Sequence, residues 1–196
     1  MDTLPPHGPS AIRHRRASKA MSDSAVRAYA AGKRFAAGTL DRWLAQKDED
    51  RDAFLAVAER LRLGENQVRD LLEQVEDIAV RQGTCPAAVL RDAAVTCVLD
   101  RGLGRNETIH ALRRALRRLR YPELCRAEAE LSRLIKELEL PSGVKLELPE
   151  GLESERLSVR VTASSAHELR ALAASLGRAV GLEQIDRMYS ILEGKW

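Results

Sequence analysis

Residues 106–120, Asn-Glu-Thr-Ile-His-Ala-Leu-Arg-Arg-Ala-Leu-Arg-Arg-Leu-Arg, keep one helical period from end to end. Ile109, Leu112, Leu116 and Leu119 recur at spacings of three and four, which places them on one apolar stripe that a core must cover. Asn106 stands where a side-chain oxygen can accept from the unpaired amides of a first helical turn. At about 100° per residue, Arg114, Arg117 and Arg118 fall away from the stripe, while Arg113 and Arg120 flank it. Five guanidiniums within residues 113–120 suit a phosphate surface, because the planar fork matches phosphate oxygens and stays charged at physiological pH. A solvated face, or one paired to a neighbouring acidic helix, explains the same pattern without any ligand.

Outward from this helix, composition points the same way. Hydrophobic residues make up 44% of the 196, enough for a core, but aromatics only 4%, which leaves that core to Leu, Ala and Val and favours helix. No apolar run approaches the roughly 20 residues that cross a bilayer. The first residues lack the apolar segment of a signal peptide, so a soluble cytoplasmic protein is expected. Cys85, Cys97 and Cys125 are odd in number and fall on faces that read as mostly buried, so they are expected to be reduced core thiols.

The net charge of +3 is unevenly placed. Residues 1–34 carry a net +5, residues 105–120 carry another +5, and the remainder carries −7. Such asymmetry suits a chain that meets a polyanion along one surface. Arginine outnumbers lysine 26 to 6, a usage that a GC-rich genome also produces without selection for phosphate.

Residues 1–22 hold three prolines, no apolar period and the cluster Arg13, His14, Arg15, Arg16 and Lys19, the pattern of a flexible basic tail. A helical domain is expected over 23–121 and a small α/β module over 122–196. The helical domain reads as a weak helix at Ala25–Ala31, then one over Leu40–Gln46 capped by Thr39. A third opens on Asp48-Glu49-Asp50, where acids favour the helix dipole, and Gly64 ends it. Glu65 to Arg81 follows, with Val68, Leu71, Leu72, Val75, Ile78 and Ala79 inward. A fifth, capped by Thr84 with Pro86 in its first turn, runs to Gly102 with Val89, Leu90, Ala93, Cys97 and Val98 on its stripe. The arginine helix is sixth. Pro122 opens a seventh through Leu138, in which Leu124, Leu131 and Leu138 repeat every seven residues.

Beyond Pro141 the period changes. Residues 144–148 and 157–161 alternate apolar and polar, with Pro149-Glu150-Gly151 between them, which predicts an antiparallel hairpin. Ser165-Ala166-His167-Glu168 is a capping box ahead of a helix carrying Leu169, Leu172, Leu176 and Val180. A last helix gathers Leu182, Ile185, Tyr189 and Leu192. The expected fold class is therefore mainly α: an N-terminal multi-helix bundle followed by an α-β-β-α module.

Two resemblances arise. Ala58, Leu61, Leu63, Val68 and Leu71 have the spacing of a helix-turn-helix, and residues 54–72 resemble that family, with Arg62 where a turn glycine is usual. The resemblance implies a DNA-reading second helix, in which Asn66, Gln67 and Arg69 would face bases. Yet residues 65–81 carry a net −3, which phosphates repel. Residues 131–176, with Leu-Ser-Arg-Leu-Ile-Lys-Glu-Leu, Val-Lys-Leu-Glu-Leu, Leu-Ser-Val-Arg-Val and Ala-His-Glu-Leu-Arg-Ala-Leu, resemble the C-terminal dimerisation domain of ParB-type partitioning proteins. That resemblance implies a homodimer whose hairpins share one sheet and a non-specific grip on DNA. The nucleotide-binding motifs of that family are missing from the chain. A lone hairpin is marginal in water and leaves open edges, so physics also asks for a partner or a cover.

Catalytic signals are weak. His7, His14, His110 and His167 lie in separate segments, no Cys-x-x-Cys occurs, and Gly102-Leu103-Gly104 lacks the remainder of a phosphate loop. No catalytic residue, metal or cofactor is expected. The leading expectation is a non-catalytic protein that contacts the backbone of double-stranded DNA. Arg105, Arg113, Arg114, Arg117, Arg118 and Arg120 of the helix, with Arg13, Arg15 and Arg16 of the tail, are the candidate contacts; the protein is expected to act as a homodimer through the C-terminal hairpin, with no membrane partner. The alternative is a protein–protein interaction or adaptor protein without nucleic-acid binding.

Overall fold

The computed structural model describes residues 22–195; Arg13, Arg15, Arg16 and the rest of the expected tail lie outside the described residues, except Ser22, which already belongs to the first helix. The chain divides at Arg120–Tyr121 into two compact units. It is mainly helical, with a two-stranded antiparallel hairpin near its C-terminus. Among the described residues no helix is long and apolar enough to cross a membrane.

The N-terminal unit holds α1 (residues 22–33), α2 (Ala37–Leu44), α3 (Asp48–Leu61), α4 (Glu65–Gln82), α5 (Pro86–Leu90), α6 (Ala93–Asp100) and α7 (Arg105–Arg120). α4 is its central element and packs against α2, α5 and α7. All six residues expected to face inward from α4 are buried. They join Phe54, Val57, Ala58 and Leu61 of α3 and Ile109, Leu112 and Leu116 of α7 in one core. Three of this unit's four aromatics, Tyr29, Phe35 and Trp43, meet at one point with ring centroids 6.0–6.4 Å apart.

Several local expectations give way to tertiary contacts. Thr39 is not a cap: α2 begins two residues before it, and its hydroxyl donates to Glu65 at 2.8 Å. The expected fifth helix is two, because Asp92 caps a fresh start by accepting from the Ala94 amide at 2.7 Å. Cys85, not Thr84, precedes the first of these helices. The break rotates the following residues, so Val95 and Val98 enter the core while Ala93 and Cys97 face solvent. None of the three cysteines is a core thiol, since Cys85 and Cys125 are only partly buried. Asp50, in the first turn of α3, is buried and accepts from the Ala87 amide at 2.8 Å, closing the start of α5 from a distance. Asn106 is also not a cap, because α7 starts one residue earlier and its side-chain oxygen accepts from Arg105.

The C-terminal unit holds α8 (Pro122–Glu137), β1 (Val144–Glu147), β2 (Ser158–Val161), α9 (Ala166–Val180) and α10 (Glu183–Leu192). α8 packs on α10, and Ala127, Leu131, Leu134 and Leu138 meet Met188, Ile191 and Leu192 in a second, smaller core. The inward face of α10 is thus Met188, Ile191 and Leu192; Leu182 and Tyr189, expected with them, are exposed. The strands pair antiparallel, with Val144 opposite Val161 and Leu146 opposite Val159 on one face. At Gly143 a Cβ would stand 2.7 Å from Leu172 and 2.8 Å from the Thr162 carbonyl, so α9 closes directly onto the backbone there. The Glu168 amide donates to Ser165 Oγ at 3.1 Å, while the Glu168 carboxylate accepts from Ser164 rather than from the cap residue itself.

The turn between α3 and α4 is closed by a residue in the left-handed region. Arg62 ends α3 in the left-handed conformation, φ +48°, and Leu63 donates back to the Ala58 carbonyl at 2.9 Å. A side chain in that region costs about 1–2 kcal/mol relative to glycine, while glycine adds roughly 0.4–1 kcal/mol of unfolded-chain entropy. Arg62→Gly is therefore expected to stabilise the protein by about 0.5–1 kcal/mol, read as a higher urea midpoint at unchanged slope.

Candidate nucleic-acid interface

The arginine helix earns its orientation from burial. Thr108, Ile109, Ala111, Leu112, Ala115 and Leu116 are covered, and α7 lies against α6, α4 and α3. Its opposite side, His110, Arg114, Arg117 and Arg118, is exposed. The guanidiniums then separate by what they touch.

Arg105 serves the fold. Its Nε donates to the Leu61 carbonyl at 2.7 Å and Nη2 to the Arg62 carbonyl at 3.1 Å, both at the C-terminal end of α3. There the carbonyls carry the negative end of the helix dipole and lack intrahelical donors. From the other side, the Tyr29 hydroxyl reaches the Ala58 and Leu63 carbonyls at 2.8 and 2.7 Å. Burial first, and Glu59 second, push the Tyr29 phenol above its usual 10.0 against the opposing charge of Arg105. A raised value keeps the hydroxyl protonated, so its contribution is whole below pH 10 and is lost as the pH climbs through the raised value.

Arg113 and Arg120 turn toward α4. Arg113 Nη2 stands 3.2 Å from Asp70 Oδ2, with both side chains nearly half exposed. Arg120 Nε stands 2.6 Å from Asp77 Oδ2, at 26% and 33% exposure, and Arg81 Nε approaches the same oxygen at 3.4 Å. The Arg81 Nη1 also donates to the Arg120 carbonyl at 3.2 Å. Beneath the Arg113–Asp70 pair, Leu63, Leu71, Ile109 and Leu116 help to line a crevice of about 20 Å³, room for a single water.

The acids of α4 are matched elsewhere too. Glu76 accepts from Arg42 at 2.5 Å and from Gln46 at 2.6 Å, which holds the Arg42 guanidinium still more firmly charged. Glu73 remains exposed. In the first turn of α4, Asn66 and Arg69 face solvent, but Gln67 Oε1 accepts from the Gly64 amide at 3.0 Å and is spent on the turn. Among the described residues, Arg114 and Arg118 make no hydrogen bond or ion pair. Arg51, unremarked in the sequence, is the most buried guanidinium at 2% exposure; it donates to the Leu44 carbonyl at 2.9 Å and pairs with Asp23 and Asp48.

The C-terminal unit carries exposed apolar side chains among its charged ones. Leu169 and Val180 of α9 are 50% and 58% exposed, and Val159 of β2 is 44% exposed. α9 buries only Leu172 and Ala179. Neither strand has a further strand beside it among the described residues. A groove between α8 and α10 is lined by Glu130, Arg133, Glu137, Glu183 and Arg187, in which Arg133 pairs with Glu130 at 2.6 Å and Glu137 at 2.5 Å. Among the described residues no three His, Cys, Asp or Glu side chains gather as a metal site.

Comparison with protein-family models, with curated proteins and with solved structures finds no match to this chain.

The separation of roles is testable at Arg105. Replacing it with Ala removes charge-assisted bonds to two helix-end carbonyls, so a loss of about 1–2 kcal/mol in urea unfolding is expected. Lys in its place is expected to recover less than half of that, because an ammonium cannot bridge two carbonyls as the planar fork does.

Proposed function

We propose that this protein is a non-catalytic nucleic-acid-binding protein that engages the phosphates of double-stranded DNA with the outer face of α7. The observation that carries the reading is Arg114 and Arg118, one helical turn apart, exposed and without partners among the described residues, on a helix whose other face is locked into a core. Unpaired guanidiniums on a fixed surface retain their full capacity for bidentate contact with phosphate. Arg117 lies on the same exposed side, and the tail residues Arg13, Arg15 and Arg16 would add contacts to the same polyanion. Phosphate contacts carry no base information, so binding would be largely indifferent to sequence. In this reading the C-terminal unit joins two copies through the hairpin; the half-exposed Val159 and the open strand edge support that role.

A protein–protein interaction role is the second reading. It is favoured by the pairing of α7 with α4, which cancels part of the basic charge inside the molecule, and by the exposed Leu169 and Val180.

Binding to a random-sequence duplex across about 50–200 mM salt separates the two. Backbone contact predicts a log–log decline of affinity with salt, and the R114A/R118A double variant is expected to flatten that slope by about 1.8, close to 0.9 per lost phosphate contact. No wild-type binding at the lowest salt overturns the nucleic-acid reading. For the pairing of copies, sedimentation of the full chain at micromolar concentration is expected to show a dimer that Val159→Lys converts to monomer. A wild-type monomer would overturn the shared sheet.

A further inference from the structure

We infer that Asp70 of α4 is a built-in competitor for phosphate at Arg113, so that the basic surface of α7 is partly closed by the protein's own acidic helix. This rests on the nucleic-acid reading of α7 and assigns a regulatory contact to it. Arg113 adjoins Arg114 in sequence and flanks the exposed arginine face. Among the described residues its one ionic contact is Nη2 to Asp70 Oδ2 at 3.2 Å, and the two side chains are 46% and 43% exposed. Exposed, single-contact pairs are weak and salt-screened, so this one exchanges readily for a phosphate oxygen that accepts from both arms of the fork.

The neighbouring contacts differ in kind. Arg120 holds Asp77 at 2.6 Å with less exposure and shares it with Arg81, and Arg105 is bound to backbone carbonyls that cannot leave. Three grades of arginine therefore sit on one helix: Arg114 and Arg118 are open, Arg113 is gated, and Arg105 and Arg120 belong to the fold. Asp70 acts twice against a polyanion, occupying Arg113 and repelling the phosphate that would replace it. A ligand that delivers several phosphates along the helix is attracted by the whole arginine row and displaces it most effectively.

Asp70→Asn keeps the shape of the side chain and removes its charge. With the full-length protein and a random-sequence duplex, it is expected to tighten binding roughly two- to fivefold near 0.1 M salt and to steepen the salt slope by about 0.9, one added phosphate contact. The companion measurement repeats the substitution in an R113A background, where the slope change should vanish and the tightening should shrink to the part due to repulsion alone. An equal gain in that background overturns the proposal, because Asp70 would then act only through its long-range field. Unchanged binding by D70N while wild type binds also overturns it and leaves the phosphate reading standing. Absence of wild-type binding removes both.

Discussion

The C-terminal end of α3 holds the N-terminal unit in register. A helix that stops leaves carbonyls without donors, and here the last turn of α3 is followed by a three-residue turn into the 18-residue α4. Tyr29 from α1 and Arg105 from α7 converge on four of the carbonyls around that turn. Residues more than 75 positions apart thus satisfy one helix end. This joint makes a left-handed Arg62 tolerable, because the surrounding bonds over-determine its backbone. With the turn fixed, α4 has a defined direction, and every helix that packs on α4 inherits it.

Charge is arranged around the same central helix. α4 is acidic, and its carboxylates are met by Thr39 and Arg42 from α2 and by Arg113 and Arg120 from α7. Each exposed pair adds little energy, roughly 0–1 kcal/mol, so their importance lies in placement rather than strength. They decide which guanidiniums remain unpaired among the described residues. The two ends of the arginine row are drawn inward, and Arg114 and Arg118 near its middle make no pair among the described residues. A face that reads as five equivalent cations becomes graded once its neighbour is in position.

Much of the architecture was legible in the pattern of apolar residues. The six inward residues of α4, the stripe of α7 and the two alternating strands were read at the positions where they occur, because burial on one face imposes a period that no competing interaction disturbs. Caps and breaks were less legible. Thr39, Thr84 and Asn106 each carry a capping side chain, yet none caps, since Glu65 captures the first, and the helices at the other two begin at neighbouring residues. Asp92 restarts the helix after Leu90 and thereby turns Cys97 outward, a one-residue event that periodicity averages over. In α9 the expected stripe is inward only in part: Leu172 is buried, but Leu169 and Val180 stay exposed and Ala179 is buried instead, because periodicity does not report whether anything covers a face.

The sequence by itself determined the helical class, the change of period after Pro141, and an arginine row set opposite an apolar stripe, since each follows from the geometry of a single element. Only the tertiary structure decided what each arginine does. Arg105 is bound to carbonyls more than 40 positions away and Arg113 to a carboxylate 43 positions away, and no local pattern encodes which distant group a long, flexible side chain will meet. Fold class is set by periodic burial along the chain. The remaining charge of a surface is set by which helices lie side by side.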